Sequence, residues 1–142
     1  MGETNIREVT RDDEFRDWFE ELLEREDASY DADAHAEERW LVASNAIGDW
    51  IGGVHYHLRG GVSHLLELAV APAERHQGHA HELLAAFEEH SLEAGAHVVE
   101  FWTEDTRSLA LLGALGWTPV LARPNYIGGR TWHLMEKRLD AA

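Results

Sequence analysis

Six consecutive residues, Arg75-His76-Gln77-Gly78-His79-Ala80, carry the plainest chemistry in the sequence. They form an Arg-x-x-Gly-x-Ala pattern between a strand signal, SHLLELAVAP, and a helix signal, HELLAAFEEHSLEA. A chain that leaves a strand, turns on glycine and enters a helix points successive backbone N–H groups into one concavity. The helix N-terminus adds partial positive charge there, which suits a phosphate or pyrophosphate. Gly78 allows the backbone to approach such a ligand closely, and Arg75 can supply a full positive charge. Without its neighbours the same pattern is an ordinary strand-to-helix turn.

The histidines are the second source of chemistry. There are 10, and His55-x-His57 and His76-x-x-His79-x-His81 have ligand-like spacing. The chain has no cysteine, His76 and His79 fall inside the phosphate turn, and no Asp/Glu constellation completes a site. No metal is expected.

The elements that must position these residues follow from periodicity and turn chemistry. Asn5 to Val9 reads as a short strand, and Thr10 with Asp13 resembles a capping box. Phe15, Trp18, Phe19, Leu22 and Leu23 follow the i, i+3, i+4, i+7, i+8 pattern of an amphipathic helix over about Asp12 to Glu26, its aromatics being core rather than a cofactor box. Asp27 to Glu38 is acidic and aperiodic, either a second short helix or a loop. Trp40 to Ser44 and Trp50 to Leu58 read as strands. Arg59-Gly60-Gly61 is the hairpin turn into the next. Gly95 ends the central helix. Val98 to Thr103 is a strand, and Asp105 or Thr106 caps a short helix that Gly116 ends. A strand near Val120 and a last one over Thr131 to Arg138 flank the Gly128-Gly129 turn. Hairpins followed by a βαβ-like crossover predict an α/β mixed sheet around one core.

Length and composition bound the answer. At 142 residues the chain is expected to be one domain, 1–142, with six Trp to fill its core. The formal net charge is −15, from 27 acidic against 12 basic residues, and Lys137 is the only lysine. That balance argues against nucleic acid, whose phosphates need a basic surface. The acidity is either a cleft for cationic amines or the solvated surface of a salt-adapted protein, and its even spread favours the second. No apolar run is long enough for a membrane span, and the start lacks a signal peptide's basic and apolar regions, so a cytoplasmic location is expected.

Three segments in order resemble the GNAT superfamily of N-acetyltransferases. Leu66 to Pro72 (LELAVAP) resembles that family's fourth strand with its apolar-Val-x-Pro step. Arg75 to Ala80 resembles its acyl-CoA pyrophosphate loop, Gln/Arg-x-x-Gly-x-Gly/Ala. Asp105 to Trp117 (DTRSLALLGALGW) resembles its Asn-x-x-Ala-x-x-Leu-Tyr-x-x-Leu-Gly-Phe helix and following strand start. Asp105 stands where the family has Asn, Ser108 where it has Ala, and Leu112 where a Tyr often protonates the departing thiolate.

The resemblance implies an acyl-CoA N-acyltransferase fold: a central, mostly antiparallel sheet of about seven strands flanked by helices. It implies transfer of an acetyl group from acetyl-CoA to a primary amine by direct attack in a ternary complex. Leu68, Ala69, Val70, Arg75, His76, Gln77, Gly78, His79, Ala80, Asp105 and Ser108 are the residues it implies for acetyl-CoA. A bulged strand would offer a backbone N–H near Val70 to the thioester carbonyl.

The amine must lose a proton before attack. His64 lies six residues before Val70, where family members often carry a Glu or His for this step. A hairpin centred between Gly60 and Gly61 would set His57 across from His64 and His55 across from Leu66. A slip of one residue would instead place Ser63 opposite His57. Glu67 is the competing base, on the opposite face from His64 unless a bulge resets the alternation. Tyr126, in the final hairpin, is a candidate replacement acid. The acceptor amine is not legible, and a homodimer is a common arrangement in the family. The alternative, motivated by Leu112, is an acyl-CoA-binding sensor or interaction module without catalysis.

Overall fold

Two glycines with positive φ, Gly60 at 57° and Gly61 at 83°, reverse the chain between its two longest strands. That conformation is nearly free for glycine and strained for other residues. Around this hairpin the computed structural model describes residues 4–10, 14–27 and 36–139. The chain divides into two compact units, Met1–Ala34 and His35–Ala142.

The first unit contains helix α1 (Glu14–Asp27), set within about two residues of its predicted bounds. Phe15 stacks on Phe19 at 5.5 Å, one turn apart. Phe15, Trp18, Phe19 and Leu23 are not core as expected but substantially exposed; among the described residues of this unit no second helix or strand covers the apolar stripe. Asn5 to Val9 is irregular rather than the expected strand. A strand is maintained by ladder bonds to a neighbour, and no pairing involves these residues among those described. Asp13 of the predicted capping pair, and most of the acidic segment between Asp27 and Glu38, lie outside the described residues.

The second unit is a six-stranded mixed sheet with order β1-β2-β3-β4-β6-β5. Its strands are β1 (Glu37–Ser44), β2 (Trp50–Arg59), β3 (Val62–Val70), β4 (Val98–Thr103), β5 (Thr118–Arg123) and β6 (Trp132–Arg138). All neighbours are antiparallel except β3 and β4, which the crossover through α2 (His79–Glu93) makes parallel. The sheet thus has six strands where about seven were expected, the difference being Asn5 to Val9.

Helix α2 presents Leu83, Leu84, Phe87 and Ser91 to the sheet at i, i+1, i+4, i+8 spacing. Phe87 is fully buried and meets Tyr56 edge-on at 5.0 Å. Burying a side chain of that size contributes about 1.5–3 kcal/mol. Helix α3 (Thr106–Ala114) adds Leu112 to the same core, along with Val54, Leu65, Val99, Trp117 and Met135. Gly95 and Gly116, at φ 93° and 91°, terminate α2 and α3 as their sequence positions predict. Among the described residues no helix is long and apolar enough to cross a membrane.

Candidate active site

The site begins where two strands part. β3 and β4 pair only from Val62–Val98 to Leu65–Phe101, although β3 continues to Val70. On the other side of β3 the register with β2 shifts at the same point: Tyr56 pairs with Leu65, then His55 pairs with Glu67. Leu66 is therefore the extra residue of a β-bulge, which bends the strand away from β4. Ala71 N–H donates to Ile51 O at 2.8 Å, and successive N–H groups along a strand point to opposite sides. The N–H groups of Val70 and Leu68 consequently face the β4 side, where β4 has already departed.

This opening is a cleft of about 710 Å³. Leu68, Ala69 and Val70 form one wall and Arg75, His76, Gly78, His79 and Ala80 the opposite one, while Asp105, Arg107 and Leu111 enter from α3. The sequence-derived cofactor residues are thus brought together, apart from Gln77 and Ser108, which do not line it. Ser108 stands one step behind, its hydroxyl donating to Asp105 Oδ2 at 3.2 Å. Asp105 also accepts from the Arg107 N–H at 3.1 Å and so caps α3.

The turn has the construction that an anion site needs. After a short 3-10 turn at Pro72–Glu74 the chain passes through His76 at φ 66° and Gly78 at φ 83° into α2. No side chain caps α2, and its first helical bond is from Glu82 N–H to Gly78 O. The N–H groups of Gly78 through His81 precede that bond and are the unsatisfied donors of a helix start. Arg75 Nε donates to Val70 O at 3.1 Å, which ties the turn to the open strand and leaves the terminal guanidinium nitrogens for other acceptors. His79 sits near two carboxylates, 3.7 Å from Glu74 and 4.0 Å from Glu82. Arg107 is a second arginine on the cleft that the motif reading missed. The only sequence signal for it was its place two residues after the Asp105 cap.

The candidate acid–base residues lie on the face of the sheet opposite α2. His57 pairs with His64 as expected, with ring centroids 5.1 Å apart. Burial, and then the nearby His64, push the His57 pKa below the ordinary histidine value, with Glu38 and Glu100 opposing. His55 does not face Leu66 as the unbulged register predicted; it faces Glu67, 3.8 Å away. The bulge has reset the alternation, so Glu67 and His64 share one face. His55 stacks on Trp40 at 4.8 Å, with its Nε2 3.3 Å from Glu38 without hydrogen-bond alignment. His64 Nδ1 lies 3.2 Å from Glu100 Oε1 on β4.

The Tyr126 ring packs 5.6 Å from Trp102, which strand alternation sets on the same face of β4 as Glu100, with the Arg123 guanidinium over it at 4.2 Å. Leu112 points into the core at 2 % exposure, so its position supplies no proton donor. Among the described residues, no group of three or more His, Asp or Glu side chains converges as a metal site.

The sequence model described as the acetyltransferase (GNAT) family matches residues 4–117. The solved structure of an acetyltransferase from Bacillus cereus superposes with a TM-score of 0.78 at 23% identity, covering 96% of this chain and 98% of that one. The ribosomal-protein-S18-alanine N-acetyltransferase from Escherichia coli gives a TM-score of 0.67 at 19% identity, covering 84% of this chain and 78% of the other. At these identities the likeness is one of fold. No curated protein matches the sequence.

Proposed function

Because the chain belongs to the GNAT acetyltransferase family, we propose that it moves an acetyl group from acetyl-CoA to a primary amine by direct attack in a ternary complex. The single observation behind this reading is the cleft itself. An uncapped helix start with Arg75 faces a strand edge whose Leu68 and Val70 N–H groups have lost their neighbour. The match from 4 to 117 runs through both units, which supports reading 1–142 as one catalytic domain.

In this reading the donors of Gly78 to His81 and Arg75 hold the pyrophosphate, with His76, Gln77 and Arg107 at its margin. The pantetheine arm lies along Leu68 to Val70. A backbone N–H near Val70 donates to the thioester oxygen as negative charge develops there, the role in which preorganised donors contribute most. Asp105, held by Ser108, shapes the far wall. His64 removes a proton from the acceptor ammonium, with Glu67 and His57 beside it. The amine nitrogen attacks the carbonyl carbon, the C–S bond breaks, and CoA leaves as a thiolate. A thiol of pKa about 8.5 leaves tolerably at neutral pH without a dedicated acid, so Leu112 is compatible with turnover. Tyr126 is the remaining candidate for that proton. A cytoplasmic location, where acetyl-CoA is available, fits the reading.

Acetyl-CoA mixed with the protein and a broad panel of amines should release free thiol, and silence across the panel would count against the reaction. The buried Leu112 favours a second reading, an acyl-CoA sensor. Calorimetric binding of acetyl-CoA by the wild type, His64→Ala and Glu67→Ala with no turnover in any of them would select it.

A further inference from the structure

We propose that Glu100 is the positioning residue of the candidate base, holding a proton on His64 Nδ1 so that Nε2 is the nitrogen that takes the proton of the amine. The inference rests on the acetyl-transfer reading above. His64 and Glu100 are register partners across the short parallel ladder, one pair before β3 and β4 separate. The contact is 3.2 Å, between side chains that are 20% and 31% exposed. An ionised carboxylate only accepts hydrogen bonds, so a neutral imidazole meeting it through Nδ1 must carry its proton there. In water the opposite tautomer is favoured, and the carboxylate inverts that preference.

The charges around the pair make a merely structural role a poor explanation of Glu100. On β6 its register partner is Glu136, a like charge placed directly opposite, an arrangement that destabilises a sheet. Arg138 is 3.7 Å from Glu136 and only partly offsets it. On β2, burial and then His64 disfavour the charged form of His57, which makes it a poor compensating cation. His55 on the same strand is engaged with Glu38 and Glu67. Among the described residues, the side chain that meets the Glu100 carboxylate at hydrogen-bond distance is His64.

Long-range proton–nitrogen NMR of neutral His64 reads the tautomer directly and does not depend on turnover. The wild type should show Nδ1–H. Glu100→Leu, which removes the acceptor, should revert to Nε2–H and lower kcat about 10-fold to 100-fold with the acetyl-CoA KM unchanged. Glu100→Gln, whose amide both accepts and donates, should give a mixture and an intermediate rate. It also serves in place of the leucine variant should that fail to fold. An unchanged tautomer in these variants, or a changed tautomer with unchanged kcat, overturns the proposal. A wild type that shows Nδ1–H yet releases no thiol with any amine removes the reaction and leaves the contact intact, so the two failures are separable.

Discussion

Ser91 Oγ donates a 2.7 Å hydrogen bond to Ser63 Oγ, and both residues are fully buried. The bond joins α2 to β3 and decides which face of β3 is inside. With Ser63 inward, His64 must point to the opposite face, where it meets His57 and Glu100. The one-residue slip that would put Ser63 against His57 would also leave this hydroxyl pair broken within the core.

Ser63→Ala should therefore cost about 1–3 kcal/mol, because Ser91 keeps a buried hydroxyl without its partner. Urea denaturation measures it. The double variant Ser63→Ala/Ser91→Ala should lose less than the sum of the singles. Additive losses would mean that the two hydroxyls are not coupled.

Gly52 lies where β2 passes closest to the open end of β3. A Cβ there would sit 2.7 Å from Ala69 O and 3.3 Å from Val70 Cα, backbone that cannot swing aside. Gly52→Ala should destabilise by about 1–3 kcal/mol and weaken acetyl-CoA binding, since the displaced residues are those proposed to run beside the thioester. Gly113→Ala is the control: its Cβ meets nothing within 4 Å and it lies inside α3, so it should be neutral or stabilising by about 0.5–1 kcal/mol. Equal melting temperatures for the two variants would contradict the contact geometry.

Arg75→Ala should raise the acetyl-CoA dissociation constant roughly 10-fold to 100-fold, the equivalent of losing one charge-assisted hydrogen bond of about 1.5–3 kcal/mol. Gly78→Ala should weaken binding as well while lowering stability by about 1–2 kcal/mol, because φ 83° is left-handed. Isothermal calorimetry separates the two effects from folding. Unchanged affinity in both variants would place the pyrophosphate elsewhere.

His57 gives a pH dependence with a definite sign. Its pKa is lowered in the folded chain, chiefly by burial and then by His64, while the unfolded chain titrates near 6.5. The unfolded state therefore binds the proton first as pH falls. The stabilisation is present above about pH 6.5 and is lost on acidification through the lowered native pKa. His57→Gln should flatten that part of the stability–pH curve, as read by urea midpoints between pH 7.5 and 5. An identical slope in both proteins would refute it.

Local preferences determined much of this chain. The 3.6-residue period of Phe15 to Leu23, the glycines at 60, 61, 95 and 116, and the Asp105 cap depend on neighbours in sequence, and the elements they predicted are present. The strand-to-helix turn at Arg75 to Ala80 was legible for the same reason, since strand, glycine and helix start are adjacent. Asn5 to Val9 shows the limit: its composition suits a strand, but strand formation depends on a partner that composition does not name. The bulge at Leu66 is of the same kind, because it exists only as a mismatch between two registers. That mismatch opened the cleft beside Leu68 to Val70, brought Glu67 to the face of His64, and set His55 against Glu67. The His64–Glu100 contact joins residues 36 apart across a parallel ladder whose register the chain adopts only when folded. Sequence alone determined where the strand-to-helix turn falls, because its parts are neighbours in the chain; the pairing of distant strands decided which side chains share a face beside it, because register exists only between folded partners.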